Sequence, residues 1–106
     1  MASQAFVLRL KPGALEEYTR RHGSIATEWP DLQLALSESG VRMLRIYAND
    51  PLLFLYAEVD DPGAFPRLWA TPVHKRWALV MDPLIELDDA GRPDARFLHE
   101  AYEFHG

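Results

Sequence analysis

The sequence contains no cysteine. Disulfides, thiolate nucleophiles and cysteine-ligated metals are excluded with it. No apolar run approaches the roughly 20 residues that a membrane-spanning helix needs, so no membrane partner is expected. The opening residues, Met1-Ala2-Ser3-Gln4, have neither a charged start nor a long apolar stretch. No signal peptide is therefore expected, and the cytoplasm is the expected location. There is no glycine-rich phosphate loop, no G-x-G-x-x-G and no G-x-S-x-G, which disfavours nucleotide cofactors and serine hydrolase chemistry. The 4 histidines, at positions 22, 74, 99 and 105, show no zinc spacing such as H-E-x-x-H, so no metal site is expected. Basic residues are in the minority, 11 Lys and Arg against 16 Asp and Glu, and the net charge of −5 argues against nucleic acid as a partner.

What remains is an ordinary globular composition in 106 residues, 48% hydrophobic and 25% charged, which predicts one domain over residues 1–106. A core this small often gains stability by pairing with a copy of itself. Residues 5–10 read as a first strand ended by Lys11-Pro12-Gly13. From about Ala14 the apolar positions Leu15, Tyr18, His22, Ile25 and Trp29 lie on one face of a helix. Glu16, Glu17, Arg20 and Arg21 lie opposite, as two acid-before-base pairs at i,i+4. Trp29-Pro30 restarts the helix, which stops at Gly40.

Residues 41–48 and 52–59 read as a hairpin around Asn49-Asp50-Pro51. Asp60-Asp61-Pro62 and Thr71-Pro72 are two helix starts. Ala64, Phe65, Leu68 and Trp69 share one face, and Val73, Trp77, Val80 and Met81 continue the spacing. Residues 88–94 form a polar loop and residues 98–104 a last strand. The order β, α, β, β, α, β predicts an α+β, ferredoxin-like fold: an antiparallel four-stranded sheet with helices on one face. The bare face of such a sheet needs a cover, and two copies meeting sheet to sheet supply one, so a homodimer is expected.

His22 carries the only side chain type whose ordinary pKa lies near neutrality, and it sits one turn after Tyr18. It is either a proton carrier or a core histidine bonded to a backbone carbonyl. Tyr18 either orients a substrate hydroxyl or fills the core. Trp29, Trp69 and Trp77 offer indole faces that suit the C–H face of a pyranose, and their spacing suits a core equally well. His74, beside Lys75 and Arg76, reads as a solvated surface residue, and His99 and His105 share one face of the last strand. Glu58 and Glu100 line a polar cavity or pair within a sheet interface.

Taken together, Ala5-Phe6-Val7, Pro12 and Glu16-Glu17-Tyr18-x-Arg20-Arg21-His22 resemble the opening of the L-rhamnose mutarotase family. Ile25 with Trp29-Pro30-Asp31-Leu32, then Gly40, Ile46-Tyr47, Leu52-Leu53-Phe54 and Glu58 follow its pattern. Thr71, Val73, Arg76-Trp77 and Leu98-x-Glu100 continue it, so the resemblance spans nearly the whole chain. It implies a dimeric α/β barrel of ferredoxin-like protomers. It also implies a cofactor-free isomerase acting on a monosaccharide, L-rhamnose or L-fucose, by interconverting α and β anomers. His22 would be the proton donor, with Tyr18 and Trp77 contacting the sugar and Trp69 a further contact. Two positions depart from the family: Ala78 follows Trp77 where a second tryptophan is usual, and Leu44 stands at a family tyrosine. The competing readings are a cofactor-free monooxygenase of the same barrel architecture and a non-catalytic dimer module that binds a small ligand.

Overall fold

The computed structural model describes residues 2–106; Met1, the first residue of the segment read as lacking a signal peptide, lies outside them. Strand β1 (Ala2–Arg9) alternates small or polar residues with Phe6 and Leu8, which are buried beneath the helices. It begins three residues earlier than its apolar run, because Ala2, Ser3 and Gln4 pair with Val59, Glu58 and Ala57 of β3 (Leu52–Val59). Strand β2 (Val41–Asn49) pairs with the other edge of β3, and the two-residue β4 (Arg96–Phe97) pairs with β1. The sheet is antiparallel throughout, with strand order β2-β3-β1-β4. This is the α+β arrangement that the element order predicts.

The helical layer lies on one face. Leu8, Leu53, Leu55, Ala57 and Val59 from the sheet meet Tyr18, Leu32, Ala35, Phe65, Leu68, Trp77 and Met81 from the helices in one core. The first helical segment is broken twice, giving α1 (Leu15–Gly23), α2 (Ile25–Glu28) and α3 (Pro30–Ser39). The first break is at Ser24, whose hydroxyl donates to the Arg21 carbonyl, and the second is at Trp29-Pro30. Helix α3 ends on Gly40 at φ 102°, a left-handed position that favours glycine. The second segment comprises α4 (Ala64–Trp69) and α5 (Pro72–Met81), the latter capped by the Thr71 hydroxyl, which accepts from the His74 N–H. No helix among the described residues is long and apolar enough to cross a membrane.

Several sequence expectations are corrected. Residues 98–106 form no strand: β4 is two residues long and starts earlier, and the tail stays exposed with one backbone bond to the body, Leu98 N–H to the Ala5 carbonyl. His99 and His105 therefore share no strand face, and His105 pairs with Glu103. The Glu16–Arg20 pair does not form, because Glu17 takes both Arg20 and Arg21 and its carboxyl falls to about 2. Asp61 does not cap α4; its carboxylate accepts from the Gly63 N–H and from Arg67, which in turn donates to the Ser39 carbonyl. His74 is half-buried rather than solvated, and burial lowers its pKa.

Candidate functional site

His22 occupies the end of α1, where the chain turns into α2. Its Nδ1 lies 3.0 Å from the Tyr18 carbonyl oxygen. A carbonyl only accepts, so Nδ1 carries the hydrogen and Nε2 keeps a bare lone pair. The imidazole is held between aromatic neighbours. Tyr18 lies against it, tilted by 30° at 4.2 Å between centroids, and Trp77 meets it nearly perpendicular at 5.2 Å. Trp29 in turn meets Trp77 edge to face. These neighbours leave the ring little rotational freedom, which keeps Nε2 pointing one way.

The environment also sets protonation. Burial pushes the His22 pKa below the ordinary imidazole value, and the bond to the Tyr18 carbonyl offsets part of that shift. The ring is therefore neutral at pH 7. Tyr18, 5% exposed, has its phenol pushed up by burial, so it remains protonated and acts only as a hydroxyl.

Beside His22 runs an open groove of about 470 Å³ between α2, α3 and the start of β2. Ile25, Leu36, Val41 and Leu44 give it apolar walls, and Gln33 and Ser37 give it a polar flank. Its charged lining residue, Arg42, donates to both oxygens of Asp60 and to the Ser37 carbonyl. Met43 lines the groove too, and a β-bulge between Val41 and Met43 sets which residues of β2 turn toward the helices. Unbroken alternation from buried Val41 would turn Leu44 to the opposite sheet face. With the bulge, Leu44 lies opposite Ala57 on the helix-facing side and enters the groove.

The structure thus brings Tyr18, His22 and Trp77 together. Neither Tyr18 nor Trp77 lines the groove; both are buried against the imidazole. Trp69 belongs to a separate aromatic group with Phe6, Phe65 and Phe97. Glu58 does not join the site, because its neighbours Ala57 and Val59 face the helices and strand alternation sends Glu58 to the other face. Glu100 lies in the exposed tail and lines no polar cavity with it. Ala78 is half-buried on α5 and does not line the groove. Gln33 and Ser37 escape notice in the sequence, although their i,i+4 spacing on α3 places two polar groups on one flank of an apolar stripe. Among the described residues no cluster of three His, Asp or Glu side chains could hold a metal.

Comparison with known proteins places this arrangement in a family. The tetracenomycin F2 cyclase of Streptomyces glaucescens superposes with a TM-score of 0.66 at 17% identity, over 100% of this chain and 99% of its own, a likeness of fold alone. The crystal structure of an L-rhamnose mutarotase from Formosa agariphila superposes with a TM-score of 0.81 at 22% identity, over 99% of this chain and 100% of its own. In sequence, the L-rhamnose mutarotase of Shigella flexneri serotype 5b (strain 8401) is 32% identical over 96% of this chain and 97% of its own. The sequence profile described as L-rhamnose mutarotase matches residues 3–104. This chain, with its Tyr18–His22 ring contact, belongs to the L-rhamnose mutarotase family.

Proposed function

We propose that this protein interconverts the α and β anomers of a free 6-deoxyhexose, L-rhamnose or its relative L-fucose, in the cytoplasm and as a homodimer of one-domain subunits. The observation that carries the reading is a neutral imidazole, fixed by its own helix carbonyl, on the wall of a groove without a free charge. Anomer exchange needs a proton moved between two oxygens on one carbon, and little else.

Nε2 of His22 takes the proton from the anomeric hydroxyl O1. The electron pair left on O1 forms the C1=O1 bond as C1–O5 breaks. The ring oxygen O5 leaves with that bonding pair and receives the proton back from Nε2, so the imidazole ends neutral. Rotation about C1–C2 turns the other carbonyl face toward O5. Reversal of the same transfers closes the opposite anomer. Nothing is oxidised and no group is transferred. A positioned acid–base group contributes about 10² to 10⁴-fold to such a step.

Tyr18 and Trp77 hold the imidazole, and the Tyr18 hydroxyl is a hydrogen-bond partner for the sugar. Trp69 has no part in this scheme, because it sits with Phe6, Phe65 and Phe97. The test is saturation-transfer NMR on L-rhamnose and L-fucose with the purified chain in chelator-treated buffer. Accelerated exchange between anomer signals is expected with at least one of the two sugars. Exchange no faster than in buffer alone, for both sugars, would refute the reading.

A further inference from the structure

Part of the groove wall is a single corner of the chain, where α3 ends at Gly40 and β2 begins; Ser37, Val41, Arg42, Met43 and Leu44 line the groove from it. The last carbonyls of a helix find no partner within it. At α3 a side chain from another helix takes one of them. Arg67 of α4 donates to the carbonyl of buried Ser39 from Nε at 3.1 Å and from Nη2 at 2.9 Å. The same guanidinium donates to both oxygens of Asp61, from Nη1 at 3.0 Å and from Nη2 at 2.8 Å. Asp61 is itself fixed by the Gly63 N–H at 2.7 Å. Two glycines leave room for the guanidinium. A Cβ on Gly63 would lie 2.8 Å from Nη1 of Arg67, and one on Gly40 would lie 3.1 Å from Nη2.

Arg42 makes a parallel tie. It donates to both oxygens of Asp60 and to the Ser37 carbonyl, while the Asp60 N–H donates to the Gly40 carbonyl at 2.8 Å. Two successive carboxylates after β3 thus hold the two guanidiniums that reach the end of α3, where the helix dipole favours cations. An isolated exposed ion pair fixes little. Here each guanidinium grips its carboxylate with two donors and a backbone carbonyl as well, which fixes direction. His22, Tyr18 and Trp77 lie on α1 and α5, outside this set of bonds.

We propose that Arg67 is a positioning residue for the sugar site: through the Ser39 carbonyl it sets where the α3–β2 corner stands, and so how tightly the groove holds its sugar. Arg67 does not line the groove and touches no sugar. The proposal rests on the mutarotase reading for its ligand, and on the geometry alone for its clamp.

The test measures saturation-transfer exchange against L-rhamnose concentration, which separates KM from kcat. A displaced wall weakens contact with the ground state and the transition state alike, which raises KM and spares kcat. Arg67→Ala is expected to raise KM about threefold or more with kcat within about twofold of wild type. Arg67→Lys keeps the charge but not the fork, and is expected to fall between the two. Asp61→Asn is expected to raise KM as well, and to add nothing to Arg67→Ala. Ile85→Val loosens the core beside Leu10, past the other end of β1, and is expected to leave KM unchanged. Hydrogen exchange reads the clamp without any sugar: the Asp60 amide is expected to exchange faster in Arg67→Ala and at the wild-type rate in Ile85→Val. A wild-type KM in Arg67→Ala, or an equal rise in Ile85→Val, would overturn the proposal and leave the mutarotase reading intact. Unchanged exchange at Asp60 in Arg67→Ala would do the same. A wild-type chain that accelerates exchange of neither L-rhamnose nor L-fucose would sink the mutarotase reading and the sugar role of Arg67 with it.

Discussion

At the scale of single residues, His22 makes the bond expected of a core histidine and still keeps a reactive nitrogen. Its Nδ1 donates to the Tyr18 carbonyl at 3.0 Å, and its depressed pKa keeps Nε2 unprotonated at pH 7. A direction of pH dependence follows. If the neutral imidazole is the form that begins the reaction, the exchange rate is flat around neutrality and falls only in acid, below the ordinary imidazole range of about 6.5. A rate–pH profile that rises in acid would instead make the imidazolium the active form. Stability moves in the same direction. As pH drops from about 6.5 toward the lowered folded-state values of His22 and His74, the unfolded chain binds protons that the folded chain does not. Urea midpoints are therefore expected to fall across that window and to be less sensitive in His22→Gln. The Tyr-x-Arg-Arg-His block makes His22 legible in the sequence. The tautomer is not legible, because it depends on a carbonyl that only the helix places within reach.

At the scale of elements, punctuation residues place the breaks well and capping less well. Pro30, Gly40, the turn at residues 49–51 and Thr71-Pro72 all mark boundaries that the structure keeps. Gly40 is the most constrained of them. It sits at φ 102°, and an added Cβ would lie 3.1 Å from Nη2 of Arg67. Gly40→Ala is expected to destabilise the protein by about 1–2 kcal/mol, read from chemical denaturation, because an L side chain is disfavoured there. Thr71→Ala removes the oxygen that caps α5 and is expected to cost about 1 kcal/mol. The bulge in β2 is what the sequence conceals. Alternation counted from Val41 turns Met43 and Arg45 inward, whereas the paired register turns Leu44 and Ile46 inward. One extra residue, invisible to a period-two reading, thus decides which side chains of β2 turn toward the helices.

At the scale of the whole molecule, one sheet face carries the core and the other is bare. Phe54, Tyr56 and Tyr47 are exposed there, at 36%, 38% and 58%, and the tail adds exposed Tyr102 and Phe104. The tail alternates as a strand would, through Leu98, Glu100, Tyr102 and Phe104, yet only Leu98 finds a backbone partner. This is why a strand reading of residues 98–104 fails for a single chain: the pattern describes a half-buried strand, and the burial is missing. The proposed homodimer, formed across the bare face, would cover these apolar residues. Light scattering after size exclusion is expected to give twice the chain mass, and Phe54→Lys with Tyr56→Lys is expected to give the single-chain mass with helical circular dichroism retained. A single-chain mass for the unsubstituted protein would contradict the dimer. The account as a whole turns on proton transfer at His22 Nε2, and the most direct measurement is the anomer exchange rate of L-rhamnose with His22→Ala, checked for folding by its thermal transition. A fall of about 10² to 10⁴-fold in the catalysed rate is predicted. A folded His22→Ala protein that exchanges anomers as fast as the wild type would contradict it.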